Sequence, residues 1–136
     1  AELIEALRRV KNSFNSYPLD SLAQHGALAA YKDEAYFREC CKRVVASRET
    51  LARALVGLGY EVLPSAANFL LVSPPGGDAG SLFECLRERG ILLRHFARPR
   101  IDRFLRISIG TEAECVTLLH TLAELTASQN TGPPSD

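Results

Sequence analysis

Apolar positions along this chain recur first with a helical period and later with a strand period. Leu3, Ile4, Leu7 and Val10 fall on one side of a segment whose Arg8, Arg9 and Lys11 lie elsewhere, which predicts a helix over residues 2 to about 12. A polar break follows from Asn12, ending in Tyr17 and Pro18, and proline suits the first position of a new helix. That second helix runs from Leu19 to about Tyr31, with Leu22, Ala23, Gly26, Ala27 and Ala30 leaving room for close packing. Asp33 is placed to cap the longest helix, which reaches about Leu58. Its expected buried stripe is Phe37, Cys41, Val44, Leu51, Leu55 and Leu58, and Gly59 supplies a left-handed stop.

From Tyr60 the pattern shortens. Tyr60 to Leu63 reads as a short strand, Pro64 to Ala66 as a turn, and Asn68 to Val72 as a central strand. A loop with Pro74, Pro75, Gly76 and Gly77 leads to a helix capped by Asp78, with Leu82, Phe83 and Leu86 inward and Gly90 at its end. Ile91 to Phe96 is the next strand, Ala97 to Arg103 a loop, and Phe104 to Ile109 a last strand. Thr111 and Glu114 form a capping box for a final helix carrying Cys115, Leu118, Leu119 and Leu122 on one face. The order is three helices, then strand-strand-helix-strand-strand-helix. It predicts an α+β fold with a small antiparallel or mixed sheet covered by helices.

Length and composition narrow the picture further. The chain has 136 residues, enough for one domain with a respectable core. Its 16 basic and 16 acidic residues cancel, leaving no global field to draw nucleic acid or an anionic membrane. No apolar run reaches membrane-spanning length, and the first residues do not read as a signal peptide. Cys40, Cys41, Cys85 and Cys115 follow no metal-binding spacing, and His25, His95 and His120 are scattered, so no metal site is expected. The cysteines suit reduced packing in the cytoplasm.

The residue that stands out chemically is Arg106, set between Leu105 and Ile107. A guanidinium on such a strand is costly unless it meets an anion, or unless it faces an open side and pairs with a neighbouring Asp or Glu. Arg94 lies on the preceding strand, and Arg98, Arg100 and Arg103 lie on the loop between. If the two strands pair, Arg94 and Arg106 can hold one phosphate or carboxylate; otherwise the arginines form a solvated rim. Asn68 is either a turn residue or a polar contact at a site mouth, Tyr17 a packing or helix-entry residue, and His95 structural on the opposite sheet face. There is no G-x-G-x-x-G, phosphate loop or nucleophile elbow, and Gly57 to Tyr60 closes a helix instead of opening one. The three lysines, Lys11, Lys32 and Lys42, sit in helical segments beside charged neighbours, unlike a desolvated Schiff-base lysine.

Five segments together resemble a known family: Glu2 to Leu7, Asn15-Ser16-Tyr17-Pro18-Leu19, Pro64-Ser65-Ala66-Ala67-Asn68-Phe69, Gly90-Ile91-Leu92-Leu93-Arg94 and Leu105-Arg106-Ile107-Ser108-Ile109-Gly110-Thr111. Over residues 1 to about 126 the chain is similar to the C-terminal small domain of the histidinol-phosphate aminotransferases, fold-type I pyridoxal-phosphate enzymes. The resemblance implies that Arg106 grips the distal anionic group of substrate, that Arg94 assists, and that Asn68 and Tyr17 lie near the substrate side. It implies residues 1–16 as a connecting helix and linker from a missing cofactor domain, 17–126 as the small domain, and 127–136 as a disordered tail. It further implies pyridoxal phosphate and a homodimer in the full-length enzyme, with amino transfer between L-glutamate and imidazole-acetol phosphate. The family's Schiff-base lysine has no counterpart here, so no catalytic or cofactor-binding residue is assigned. An aminotransferase for aromatic or dicarboxylic amino acids, or a free-standing domain that binds an anion or a partner without catalysis, are the alternatives.

The 136-residue chain alone, supplied with pyridoxal phosphate, is therefore expected to show no transaminase turnover. Borohydride trapping checks this, since a reducible adduct at Lys11, Lys32 or Lys42 that supports turnover would contradict it.

Overall fold

The computed structural model describes residues 2–14 and 19–129. Its helices are α1 (Glu2–Phe14), α2 (Ser21–Lys32), α3 (Glu34–Gly57), α4 (Ala79–Glu88) and α5 (Glu112–Gln129), and its strands β1 (Glu61–Val62), β2 (Phe69–Ser73), β3 (Arg94–His95) and β4 (Leu105–Ser108). The order of helices and strands is the one the sequence predicts. All strand pairs are antiparallel, in the order β1-β2-β4-β3, which selects the antiparallel form of the expected α+β fold. The chain divides into two compact units, residues 1–39 and 40–136. Of the break expected from Asn12, residues 12–14 belong to α1, while residues 15–18, Tyr17 among them, and most of the expected tail, 130–136, lie outside the described residues.

In the first unit the apolar stripe of α1 is exposed throughout, with Leu3 at 74%. Helix α2 starts at Ser21, two residues later than expected. Asp20 sets that start, its carboxylate accepting the Ala23 N–H at 2.7 Å. No residue of α2 is buried, so its small-residue stripe is exposed as well. Asp33 caps α3 as expected, accepting the Tyr36 N–H at 3.2 Å.

The second unit is built on one strand alternation. Leu70 and Val72 of β2 and Leu105 and Ile107 of β4 point to the same side of the sheet, because side chains alternate along a strand and the register sets Leu70 opposite Ile107 and Val72 opposite Leu105. They join one cluster with Leu51 and Leu55 of α3, Leu82 and Leu86 of α4, and Leu118 and Leu122 of α5. Three helices therefore cover one face of the sheet. The stripe of α3 is buried only where it meets this cluster. Phe37, 63% exposed, and Cys41 lie too early in the helix to reach it.

Three strands come out shorter than predicted, β1 being only Glu61–Val62. Ile91 donates its N–H to the Leu86 carbonyl at 2.9 Å, closing α4 after Gly90 turns left-handed at φ 78°. Residues 91–93 thus complete a helix end, and only Arg94 and His95 join the ladder. Phe104 likewise gives its N–H to the Ile101 carbonyl at 3.1 Å in a turn, so β4 begins at Leu105.

The helix on which β4 delivers the chain is held by the predicted capping box. Glu114 accepts the Thr111 N–H at 2.7 Å, and Thr111 Oγ1 accepts the Glu114 N–H at 3.4 Å. A Cβ on Gly110 would stand 2.6 Å from Glu114 Oε2, so a larger residue there would push the carboxylate off its place on Thr111. The Thr111 N–H and hydroxyl hold the Glu114 carboxyl below its usual value. The Asp78 carboxyl at the start of α4 is lowered too, chiefly by the Ser81 N–H.

A carboxyl whose native value is lowered stabilises the fold fully above its ordinary value, and this is lost as pH falls through the lowered one. Melting temperature should accordingly decline on the acid side. Glu114→Gln should flatten that decline relative to the unmodified chain, a difference visible in thermal melts across the acid range.

Candidate functional site

The face of the sheet turned away from α3, α4 and α5 carries the two strand arginines. Arg94 and Arg106 are directly opposite one another across β3 and β4, and Leu71 is opposite Arg106 on its other side. The strand pairing that would bring the two guanidiniums to one place is therefore present. Like charges directly opposite on a sheet repel, so this pair works against the ladder that holds it.

Each guanidinium lies over an aromatic ring. Arg106 Cζ is 5.5 Å from the centroid of Phe69, and Arg94 Cζ is 4.9 Å from that of Phe96, both within range for attraction between a cation and a ring face. Arg94 is exposed and Arg106 half-buried, and Arg106 Nε is buried with no hydrogen-bond acceptor. Among the described residues neither arginine makes an ion pair with a carboxylate. Pairing with a neighbouring Asp or Glu, the simpler alternative for Arg106, is not what holds it. A buried N–H without an acceptor costs free energy, and an anion in front of the two forks would supply one.

The loop arginines are used differently. Arg103 pairs with Glu61 of β1 at 3.0 Å and lies 4.6 Å over Phe104, which ties the loop across the sheet. Arg98 and Arg100 are exposed rim residues, and Arg100 is left-handed at φ 75°. His95 is structural, as expected: its Nε2 donates to the Asp102 carbonyl at 2.6 Å and its ring centroid is 6.0 Å from that of Phe83.

Asn68 sits on the turn that feeds β2, immediately before Phe69. Its side chain is exposed, and its carbonyl accepts the Ile109 N–H at 2.9 Å. The turn itself is knotted by Ser65, whose hydroxyl donates to the Phe69 carbonyl at 2.7 Å and accepts the Ala67 N–H at 3.1 Å. Arg48 of α3 secures it further, donating to the Ala67 carbonyl at 3.0 Å. Sequence reasoning passed over Phe69, Phe96, Ser65 and Arg48. Residue parity could have found the two rings, since Phe96 is two residues from Arg94 and Phe69 two residues from Leu71 on the same face. Nothing local marks Arg48, which meets the turn across 19 residues.

Lys11, Lys32 and Lys42 are exposed on helices. No group of metal-ligating side chains is found among the described residues, and none of their helices is long and apolar enough to cross a membrane.

Residues 1–122 match the family model for aminotransferase class I and II, and the chain belongs to that family. Among curated proteins it is similar to histidinol-phosphate aminotransferase 2 of Dechloromonas aromatica, at 58% identity over 126 residues covering 93% of this chain and 35% of that protein. It is 56% identical over 122 residues to histidinol-phosphate aminotransferase 1 of Pseudomonas aeruginosa, covering 90% and 35%. Of solved structures, the histidinol-phosphate aminotransferase from Sinorhizobium meliloti in complex with pyridoxal-5'-phosphate matches with a TM-score of 0.67 at 28% identity, over 76% of this chain and 29% of that one. The enzyme from Clostridium acetobutylicum, at 22% identity and a TM-score of 0.76 over 91% and 38%, adds a likeness of fold. The chain spans about a third of the length of the curated relatives it matches.

Ser65→Ala removes both bonds that knot the turn before β2. At about 0.5–1.5 kcal/mol net for each bond, the loss should be plain as a shift in urea midpoint. Asn68→Ala, which removes an exposed side chain, should leave the midpoint nearly unchanged.

Proposed function

We propose that this chain is the substrate-gripping C-terminal part of a pyridoxal-phosphate-dependent histidinol-phosphate aminotransferase, an enzyme that moves an amino group between L-glutamate and imidazole-acetol phosphate. The observation that carries the reading is the register pair Arg94 and Arg106, two guanidiniums on one sheet face without a carboxylate partner, with the Nε of one desolvated and lacking an acceptor. A phosphate offers several acceptor oxygens to both forks at once, and a glutamate carboxylate offers two.

In this reading Arg106 is the fixed point of the clamp, braced by its buried strand neighbours Leu105 and Ile107. Arg94, exposed, closes on the anion from the mouth. Asn68 is on the substrate side. In this reading attachment of the cofactor falls to residues outside this chain. The identities above 50% to several histidinol-phosphate aminotransferases support the choice of substrate. A cytoplasmic homodimer goes with the reading. The four cysteines are all free, which suits a reducing compartment, and the exposed apolar stripe of α1 offers a surface for another part of the assembly.

In the enzyme carrying this chain, Arg106→Ala should lower kcat/KM for histidinol phosphate by roughly ten- to 150-fold, the worth of one charged hydrogen bond, and spare dephosphorylated histidinol. Arg106→Lys should rescue little, because a point ammonium cannot reproduce the fork. Arg94→Ala should act in the same direction, and the double variant should be non-additive, since both grip one anion. Equal losses on both substrates, or a fall in melting temperature large enough to explain them, would make Arg106 structural.

A further inference from the structure

The rings under the two arginines lie on opposite sides of the arginine row. Phe69 is opposite Ser108, two residues beyond Arg106 toward the C-terminal end of β4. Phe96 follows Arg94 on the neighbouring strand, and because β3 and β4 run antiparallel it lies toward the N-terminal end of β4. Arg106 leans over the first ring at 5.5 Å and Arg94 over the second at 4.9 Å. The two guanidiniums are thus drawn in opposite directions along the strands, although their Cα atoms face each other. Such a splay lowers the repulsion between like charges. It also sets each guanidinium against a ring of its own. Arg103 provides a contrast on the same sheet face. It too lies on a ring, that of Phe104, but its charge is taken up by Glu61 at 3.0 Å.

Resting on the function proposed above, we propose that Phe69 and Phe96 are positioning residues that hold the forks of Arg106 and Arg94 apart for one shared tetrahedral anion. Neither ring needs to touch the substrate. Each acts through its arginine, fixing the guanidinium plane before the anion arrives, so that less side-chain freedom is lost on binding.

The test uses the holoenzyme carrying this chain, with histidinol phosphate and histidinol as the two substrates. Phe69→Leu keeps an apolar side chain and removes the ring. It should raise KM for histidinol phosphate by about two- to thirty-fold, the range of one guanidinium–ring contact, with kcat and the handling of histidinol unchanged. Phe96→Leu should act likewise. Phe69→Tyr retains a ring and should restore the phosphorylated substrate. In an Arg106→Ala background Phe69→Leu should add nothing, because the residue it positions is gone. If Phe69→Leu melts below the assay temperature, Phe96→Leu with Phe96→Tyr decides in its place. Wild-type discrimination in both Leu variants, alongside lost discrimination in Arg106→Ala, overturns the positioning role and leaves the clamp standing. Intact discrimination in Arg106→Ala overturns the clamp, and the positioning role with it. A Tyr variant that melts like the unmodified enzyme yet behaves as the Leu variant also overturns the role of the ring.

Discussion

A strand of four residues has to satisfy two surroundings at once. Leu105 and Ile107 belong to the core that three helices press against one face of the sheet, and they are almost fully buried there. The residue between them must then emerge on the other face, and that residue is Arg106. Shifting β4 by one position would bury a guanidinium among leucines and expose two core residues, a change far larger than the stability of an ordinary domain can absorb. The placement of the charge is thereby as firm as the core itself. The core holds it so firmly that Arg106 stays directly opposite Arg94 despite their repulsion.

The ends of this strand and its neighbour are fixed by polar knots. Past β4, Gly110 lets the Glu114 carboxylate close onto Thr111, and the capping box turns the chain straight into α5. Ahead of β2, Ser65 and Arg48 satisfy the turn that brings Phe69 into register with Ser108. At the far edge, the ion pair between Arg103 and Glu61 ties the loop before β4 to β1. Each knot is local and modest in energy. Together they leave Arg94 and Arg106 as the strand arginines whose charge no carboxylate among the described residues answers.

The chain belongs to the class I and II aminotransferases, and it carries a candidate anion clamp in Arg94 and Arg106. It spans about a third of the length of its curated relatives, and α1 leaves an apolar stripe exposed.

The sequence by itself determined the order of elements, the helix caps at Asp33, Asp78 and Thr111, the stop at Gly59, and which residues of β2 and β4 are apolar. All of these depend on periodicity or on contacts within a few residues, which a linear pattern records directly. It also singled out Arg106 and Arg94, because a charge amid apolar strand residues is anomalous wherever the strand lies. The tertiary structure decided what lies far apart in sequence or depends on competition for one N–H. It shortened β3, because the Ile91 N–H closes α4, and it began α2 at Ser21, because Asp20 took the cap. It left Phe37 and Cys41 exposed, because a helical stripe is buried only over the length that another layer covers. It alone brought Arg48 to Ala67 and set Phe69 beneath Arg106, contacts that arise from antiparallel register, for which no residue along the chain carries a mark.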